Sequence, residues 1–155
     1  MKFLFKLSLF TPLLLPLFLV VIFAAALAGN PSSNISNGTT FGRQTTLTAK
    51  EVAQKASISE ERAEDVIKIL NFQLSKEGFT LAGSSGSLAV AERESGFDPK
   101  AINPSGGVAG YFQWSGWSNT INGNRWSKAS RRTLDSDIQL QLMSTELNGD
   151  YKNVK

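Results

Sequence analysis

Hydrophobic residues recur with a helical period in the middle of the chain. They are spaced three and four residues apart, at Ala63, Val66, Ile67, Leu70 and Leu74. This spacing places them on one face of a helix and predicts an amphipathic helix that buries that face. A capping pattern from Ser57 to Glu60 predicts where this helix begins, and Gly78 predicts where it ends.

Three further helices are predicted by capping residues and apolar spacing. Thr48 to Glu51 forms a capping-box pattern that opens a short helix. Another helix is expected to start near Ser84 or Ser85 and to stop at Gly96. A last one is expected to be capped by Thr133 or Ser136 and to end at residues 148–149.

No long period and no alternating strand pattern occurs between Ala101 and Lys128, where Gly, Ser, Asn and Trp are frequent. The predicted fold is therefore mostly α, with one long Gly- and Trp-rich loop.

The N-terminus differs from the rest of the chain, because residues 7–28 are apolar and carry no charge. Twenty-two residues at about 1.5 Å each give roughly 33 Å of helix, enough to cross a membrane. Ala26 and Ala28 also form a small-residue pattern of the kind cleaved in signal peptides. Both interpretations, an uncleaved anchor and a signal peptide, place residues 30–155 outside the cytoplasm. Lys2 and Lys6 favour an N-in orientation if the segment is an anchor.

The predicted organisation has three parts. Residues 1–29 are a signal anchor or signal peptide, residues 30–47 form a flexible linker rich in Ser, Thr, Asn and Gly, and residues 48–155 form one domain. The protein is expected to be membrane-anchored through residues 7–28, or secreted.

Composition removes several classes of function. The chain has no histidine and no cysteine, which excludes imidazole acids and bases, thiol nucleophiles, disulfides and the common zinc sites. Residues 1–50 hold four cations and no acid, whereas residues 51–155 hold 12 cations and 13 acids. The basic pI therefore belongs to the N-terminus, and no nucleic-acid partner is expected. The remaining chemistry must use carboxylates, hydroxyls, amides, lysine or backbone groups, and no metal or cofactor is expected.

Glu94 is the candidate catalytic group, because it lies at the end of a predicted helix beside Phe97. Apolar neighbours that exclude water raise the pKa of a carboxyl, which a general acid at neutral pH requires. A solvated surface glutamate is the alternative that composition favours.

Three motifs occur in a characteristic order: ESGFDP from Glu94 to Pro99, NPSGG from Asn103 to Gly107, and GYFQW from Gly110 to Trp114. Together they resemble the phage tail-type lysozymes, within the lysozyme-like superfamily that also holds the lytic transglycosylases. A later Gln-Leu to Glu-Leu segment, residues 139–147, is also similar to that family. The resemblance extends from about Ala63 to the end of the chain.

This resemblance implies cleavage of the β-1,4 bond between N-acetylmuramic acid and N-acetylglucosamine in peptidoglycan, with Glu94 as the catalytic glutamate. Hydrolysis by water and formation of a 1,6-anhydro sugar both remain open. The residues expected to contact substrate are Ser95, Gly110, Tyr111, Gln113 and Trp114.

The neighbouring residues are assigned by their positions. Phe112 is expected to point inward, and Glu92 to lie exposed on another face of the helix. Asp98 is expected to fix the turn before Pro99, with a role as second carboxylate as the alternative. Glu146 is interpreted equally well as a structural or a catalytic group.

Relatives in the resembled family continue with further helices beyond the point corresponding to Lys155. The chain is therefore expected to be the N-terminal portion of a longer wall hydrolase, or a truncated, weakly active or inactive form. The expected role is local wall opening by a phage or by a secretion or conjugation apparatus. A non-catalytic, membrane-tethered peptidoglycan-binding module or scaffold is the alternative. An exported helical adaptor is a third interpretation.

Overall fold

A computed structural model describes residues 45–153 of the chain. In chain order, its elements are helices α1 (Ala49–Ala56), α2 (Glu60–Ser75) and α3 (Leu81–Ser95), strands β1 (Ile102–Asn103), β2 (Val108–Ala109) and β3 (Trp114–Ser115), a 3₁₀ helix (Arg125–Lys128) and helix α4 (Ser136–Asn148). The four helices confirm the mostly α fold class.

The predicted N-terminal segment, residues 7–28, and the linker up to residue 44 lie outside the described residues. Within residues 45–153, no helix combines the length and the apolar character needed to span a bilayer. Thr45, inside the predicted linker, already contacts the domain, since its backbone N–H donates to Asn71 Oδ1 at 2.7 Å.

Side chains cap the N-terminal ends of the first two helices. Thr48 caps α1 and forms the predicted capping box with Glu51. The expected start of α2 is two residues too early, because Ser59 rather than Ser57 accepts the first free backbone N–H, from Arg62. Ser57 instead adopts a left-handed conformation (φ 56°) that ends α1.

The residues that cap α3 and α4 also differ from the expected caps. Thr80 caps α3, and Ser84, one of the expected caps, is fully buried in the first turns of that helix. Asp135 caps α4 by accepting from the backbone N–H groups of Asp137 and Ile138. A capping aspartate stabilises a helix N-terminus as well as a hydroxyl does.

One apolar core joins the helices to the sheet. The predicted α2 stripe is confirmed: Ala63, Val66, Leu70 and Leu74 are buried, and Ile67 packs at the edge of the core. The sheet region adds Ala109, Tyr111, Trp114 and Trp126 to the same core.

The expectation of a loop without strands is wrong. Strands β1, β2 and β3 form an antiparallel sheet in that order, with Ile102 opposite Ala109 and Ala109 opposite Trp114. Each strand has only two residues, so none is long enough to show an alternating pattern in the sequence.

The side chain of Gln139 connects helix α4 to this sheet region. Its Oε1 accepts from the backbone N–H of Tyr111 at 2.8 Å, and its Nε2 donates to the carbonyls of Pro99 (2.8 Å) and Leu134 (3.0 Å). Gln139 is fully buried, so these backbone groups have little access to water as an alternative partner.

We expect Gln139→Leu to lower the free energy of unfolding by at least about 2 kcal/mol, because it leaves the buried Tyr111 N–H and two carbonyls unpaired. Urea unfolding measures the change. Gln141→Leu is the matched control, since Gln141 is exposed on the same helix and should change stability by less than about 0.5 kcal/mol. Equal losses in the two variants would contradict the bridging role.

Candidate active site

Glu94 lies on the last turn of α3 with its side chain exposed. It follows Gly83, Ser87 and Val90 by 11, 7 and 4 residues, and these separations place all four residues on one face of the helix. The expected shielding by Phe97 is wrong, because the Phe97 ring is buried in the core and Glu94 remains open to solvent.

A pocket of about 600 Å³ opens along this same face of α3. Helix α3 lines it with Gly83, Gly86, Ser87 and Val90, and α4 lines it with Met143, Glu146 and Leu147. Phe79, Phe112, Trp114, Arg125 and Tyr151 also line it. Val90 precedes Glu94 by one helical turn, so the carboxylate lies just beyond the end of the pocket.

The turn after Glu94 is held in an uncommon backbone conformation. Gly96 ends the helix at φ 60°, and Phe97 follows at φ 63°, a left-handed conformation that costs a non-glycine residue about 1–3 kcal/mol. Burial of the Phe97 ring, which is 1% exposed, offsets this cost. The turn therefore holds Glu94 at the end of a rigid segment.

Asp98 fixes this turn through two contacts. Its Oδ1 accepts from the backbone N–H of Lys100 at 2.8 Å, and its Oδ2 forms an ion pair with Arg62 at 3.0 Å. Arg62 also donates to the carbonyl of Phe97. These contacts agree with the turn-fixing interpretation of Asp98.

Ser95 ties the end of α3 to the sheet region. Its hydroxyl lies 2.9 Å from both the Ala91 carbonyl and the Tyr111 carbonyl, and it donates its one proton between them. The Ser95 hydroxyl therefore binds two backbone carbonyls of the protein, although it was expected to contact substrate.

Gln113 supports the loop that precedes β3. It adopts φ 47°, and its Nε2 donates to the carbonyls of Ala101 (3.1 Å) and Gly110 (3.0 Å). Its amide N–H groups thus bind the backbone and support the loop, although Gln113 was expected to contact substrate.

The backbone conformation and the packing at position 110 both require glycine. It adopts φ +85°, and a Cβ at this position would lie 2.8 Å from Gln139 Cδ. A bulky side chain here would therefore clash with the buried amide of Gln139, which gives Gly110 a role inside the fold rather than the expected contact with substrate.

The expected orientation of the two adjacent rings is also wrong. Tyr111 is fully buried, and its hydroxyl donates to Asp65 Oδ1 at 2.5 Å. Burial raises the pKa of Tyr111 and also that of Asp65. Phe112, expected to point inward, is half-buried and lines the pocket.

Trp114 lines the pocket but exposes only 1% of its surface. Its ring packs edge-on against Phe112 at 5.2 Å between centroids, and against Trp126 at 6.1 Å. Its Nε1–H donates to Glu146 Oε2 at 2.9 Å. Trp114 therefore belongs mainly to the core.

Glu146 is a buried carboxylate in the pocket wall. It is 3% exposed and accepts from Arg125 Nε at 2.8 Å and Arg125 Nη2 at 2.5 Å, in addition to Trp114. The hydrogen bonds to Glu146 raise the pKa of Arg125. This arrangement favours the structural interpretation of Glu146. Sequence analysis missed Arg125, because 21 residues separate it from Glu146 and no local pattern signals the pair.

Glu92, expected to be exposed, is half-buried on the opposite flank of α3 from Glu94. Its Oε2 is inaccessible to solvent and has no hydrogen-bond donor among residues 45–153. Desolvation raises the pKa of this carboxyl. In the described part of the chain, no group of three or more acidic side chains could hold a metal ion.

A helical domain whose glutamate ends a helix beside a pocket and a small antiparallel sheet fits the class of lysozyme-like glycosidases. A family model, the phage tail lysozyme family, matches residues 61–155. The match covers more than half of the chain, so the chain belongs to this family. Membership supports a lysozyme-like glycosidase that hydrolyses peptidoglycan. No match was found among curated proteins or among solved structures.

Glu92→Gln is expected to stabilise the domain at neutral pH. A raised pKa means that the folded state binds the proton more tightly than the unfolded state, so stability falls as pH rises from the ordinary value of 4.5 through the folded pKa. The glutamine variant does not lose stability in this way. Its gain in stability over the wild type should therefore be greatest near neutral pH and should shrink towards and below pH 4.5. Thermal melts across this range test the expectation, and a less stable variant at neutral pH would contradict it.

Trp114→Ala should lower the free energy of unfolding by about 3–5 kcal/mol, because it empties a buried site and leaves one Glu146 oxygen without its ring donor. Trp117→Ala should have a smaller effect, since Trp117 is only partly buried. Chemical denaturation of both variants measures the difference. A Trp114 variant with unchanged stability and weakened glycan binding would instead assign this ring to the cleft.

Proposed function

We propose that this protein cleaves the β-1,4 bond between N-acetylmuramic acid and N-acetylglucosamine in peptidoglycan, with Glu94 as the general acid. One observation carries the proposal: an exposed carboxylate ends α3 on the face that continues into the pocket. Membership of the phage tail lysozyme family supports the same reaction class.

In the first step, Glu94 gives its proton to the glycosidic oxygen as the bond to the anomeric carbon breaks. The positive charge that develops on this carbon is stabilised by the carbonyl oxygen of the substrate's own N-acetyl group. In the second step, the Glu94 carboxylate takes a proton from the attacking group, which is either water or a hydroxyl of the substrate. Attack by water gives hydrolysis, and attack by the 6-hydroxyl of the muramic acid gives a 1,6-anhydro sugar.

A mechanism with one glutamate agrees with where the other carboxylates lie. Glycosidases with two carboxyl groups place them about 5–10 Å apart across the bond. Glu92 lies on the opposite flank of α3, and Asp98 is held by Arg62 and the Lys100 backbone. The substrate's N-acetyl group supplies the stabilisation that a second carboxyl provides in those enzymes.

The pocket gives the glycan strand a surface to bind beside Glu94. Val90 and Phe112 present apolar surface to it, and aromatic edges and faces contact the C–H faces of sugars. A bound strand would also cover Glu94 and reduce its contact with water.

The proposal includes a location outside the cytoplasm. The uncharged residues 7–28, preceded by Lys2 and Lys6, support an anchor with the domain on the far side of the membrane, or a cleaved signal. Either form gives the domain access to the wall, where it opens peptidoglycan locally for a phage or a secretion or conjugation apparatus.

We expect Glu94→Gln to reduce wall cleavage by about 10²–10⁴-fold, because the amide keeps the shape of the side chain and cannot donate the proton. Release of soluble muropeptides from purified sacculi measures the rate. Glu92→Gln is the matched control, since it makes the same change two residues away on the other flank, and it should retain activity.

Two results would contradict this assignment. Equal cleavage by the wild type and Glu94→Gln would remove Glu94 from the reaction. Binding of sacculi by the wild type without any cleavage would support a non-catalytic peptidoglycan-binding module.

A further inference from the structure

Charge is unevenly distributed over the domain. Residues 99–134, named here the basic lobe, hold the sheet and the 3₁₀ helix and carry five cations and no carboxylate. Residues 45–98 carry six cations and nine carboxylates, and residues 135–153 carry one cation and four carboxylates. A nearly neutral domain is thus divided into a basic lobe and an acidic helical body.

Two of the five cations in the basic lobe are paired with carboxylates. Arg125 binds Glu146, and Lys128 Nζ lies 2.5 Å from Asp150 Oδ2. The other three, Lys100, Arg131 and Arg132, are exposed and form no ion pair within residues 45–153. Residues 1–44 and 154–155 contain no Asp or Glu, so no acidic side chain there can pair with them.

Among residues 45–153, Arg132 packs against an aromatic ring instead of pairing with a carboxylate. Its guanidinium lies 5.4 Å from the centroid of the Trp117 ring. That ring packs against Trp126 at 4.9 Å, and the Trp117 backbone N–H donates to the Gly107 carbonyl at 2.8 Å. A guanidinium braced on a ring loses less conformational freedom when it binds an anion.

The basic lobe adjoins the proposed catalytic residue. It begins at Pro99, five residues after Glu94, and the Ser95 hydroxyl links the end of α3 to the Tyr111 carbonyl inside the lobe. Lys100, the second residue of the basic lobe, lies in the turn that follows α3. Gln139 Nε2 donates to the carbonyls of both Pro99 and Leu134, so the segment just after Arg132 lies beside the turn that follows Glu94.

We propose that Arg131 and Arg132 bind carboxylates of the stem peptides carried by the glycan strand that Glu94 cleaves. This inference rests on the proposed function and specifies its substrate as a strand that bears peptides. Stem peptides hang from the muramic acid residues of the substrate itself and end in free carboxylates, which match the unpaired guanidinium groups in charge and geometry. Phosphate-containing wall polymers offer similar charge, and the test below separates them from stem peptides.

The test measures binding of the full chain, purified in detergent, to sacculi that keep their stem peptides and are free of phosphate polymers. Co-sedimentation at low temperature and low salt gives the affinity. Arg131→Gln/Arg132→Gln should bind about fivefold more weakly than the wild type, as expected for the loss of two exposed ion pairs. Raising the salt concentration should reduce this difference.

The control variant removes the same number of positive charges from the acidic helical body. Lys50→Gln/Lys76→Gln changes two exposed lysines that form no ion pair within the described residues, and it should bind within about twofold of the wild type. Arg131→Gln alone provides a second test if loss of the Arg132–Trp117 contact disturbs folding, because Arg131 has no such contact within residues 45–153.

Sacculi stripped of stem peptides by an amidase identify the anion. On these sacculi the wild type and the double arginine variant should bind equally. A difference that persists after stripping, equal losses in the arginine and lysine variants, or a difference seen only on walls that keep phosphate polymers would overturn the inference. Cleavage by the wild type is scored separately, so failure of the proposed reaction is distinguishable from failure of this binding site.

Discussion

The buried amide of Gln139 is the interaction on which the arrangement of the site depends. It satisfies backbone groups from the turn after Glu94 and from the Gly110–Tyr111 segment, and both of these belong to short irregular stretches. Two-residue strands supply few ladder hydrogen bonds of their own. A small lobe of this kind therefore takes its position from a helix side chain, and α4 determines where the sheet lies relative to α3.

The two ends of α4 contribute in different ways. Gln139, near its start, fixes backbone, whereas Glu146, near its end, neutralises Arg125 in the pocket wall and accepts from the Trp114 ring. The first contact sets the geometry beside Glu94. The second neutralises the arginine of the pocket wall, so the unpaired cations of the basic lobe, Lys100, Arg131 and Arg132, lie outside the residues that line the pocket.

Sequence patterns predicted features that depend on near neighbours and missed those that depend on distant ones. The capping box at Thr48 and the α2 stripe need only residues within a few positions, and both were confirmed. The order of Tyr111 and Phe112 was reversed, because which ring turns inward is decided by Asp65, 46 residues away from Tyr111. The half-burial of Glu92 likewise depends on packing around α3 that no local pattern encodes.

The backbone conformation and the core packing at position 97 favour different residue types, and no single type suits both. A left-handed backbone at φ 63° suits glycine, whereas the filled space in the core suits a large ring. Phenylalanine satisfies the second demand at the expense of the first. Transplanting the segment from Glu94 to Pro99 onto another helix would therefore fail as a short graft, because the receiving scaffold must also offer a cavity for the Phe97 ring.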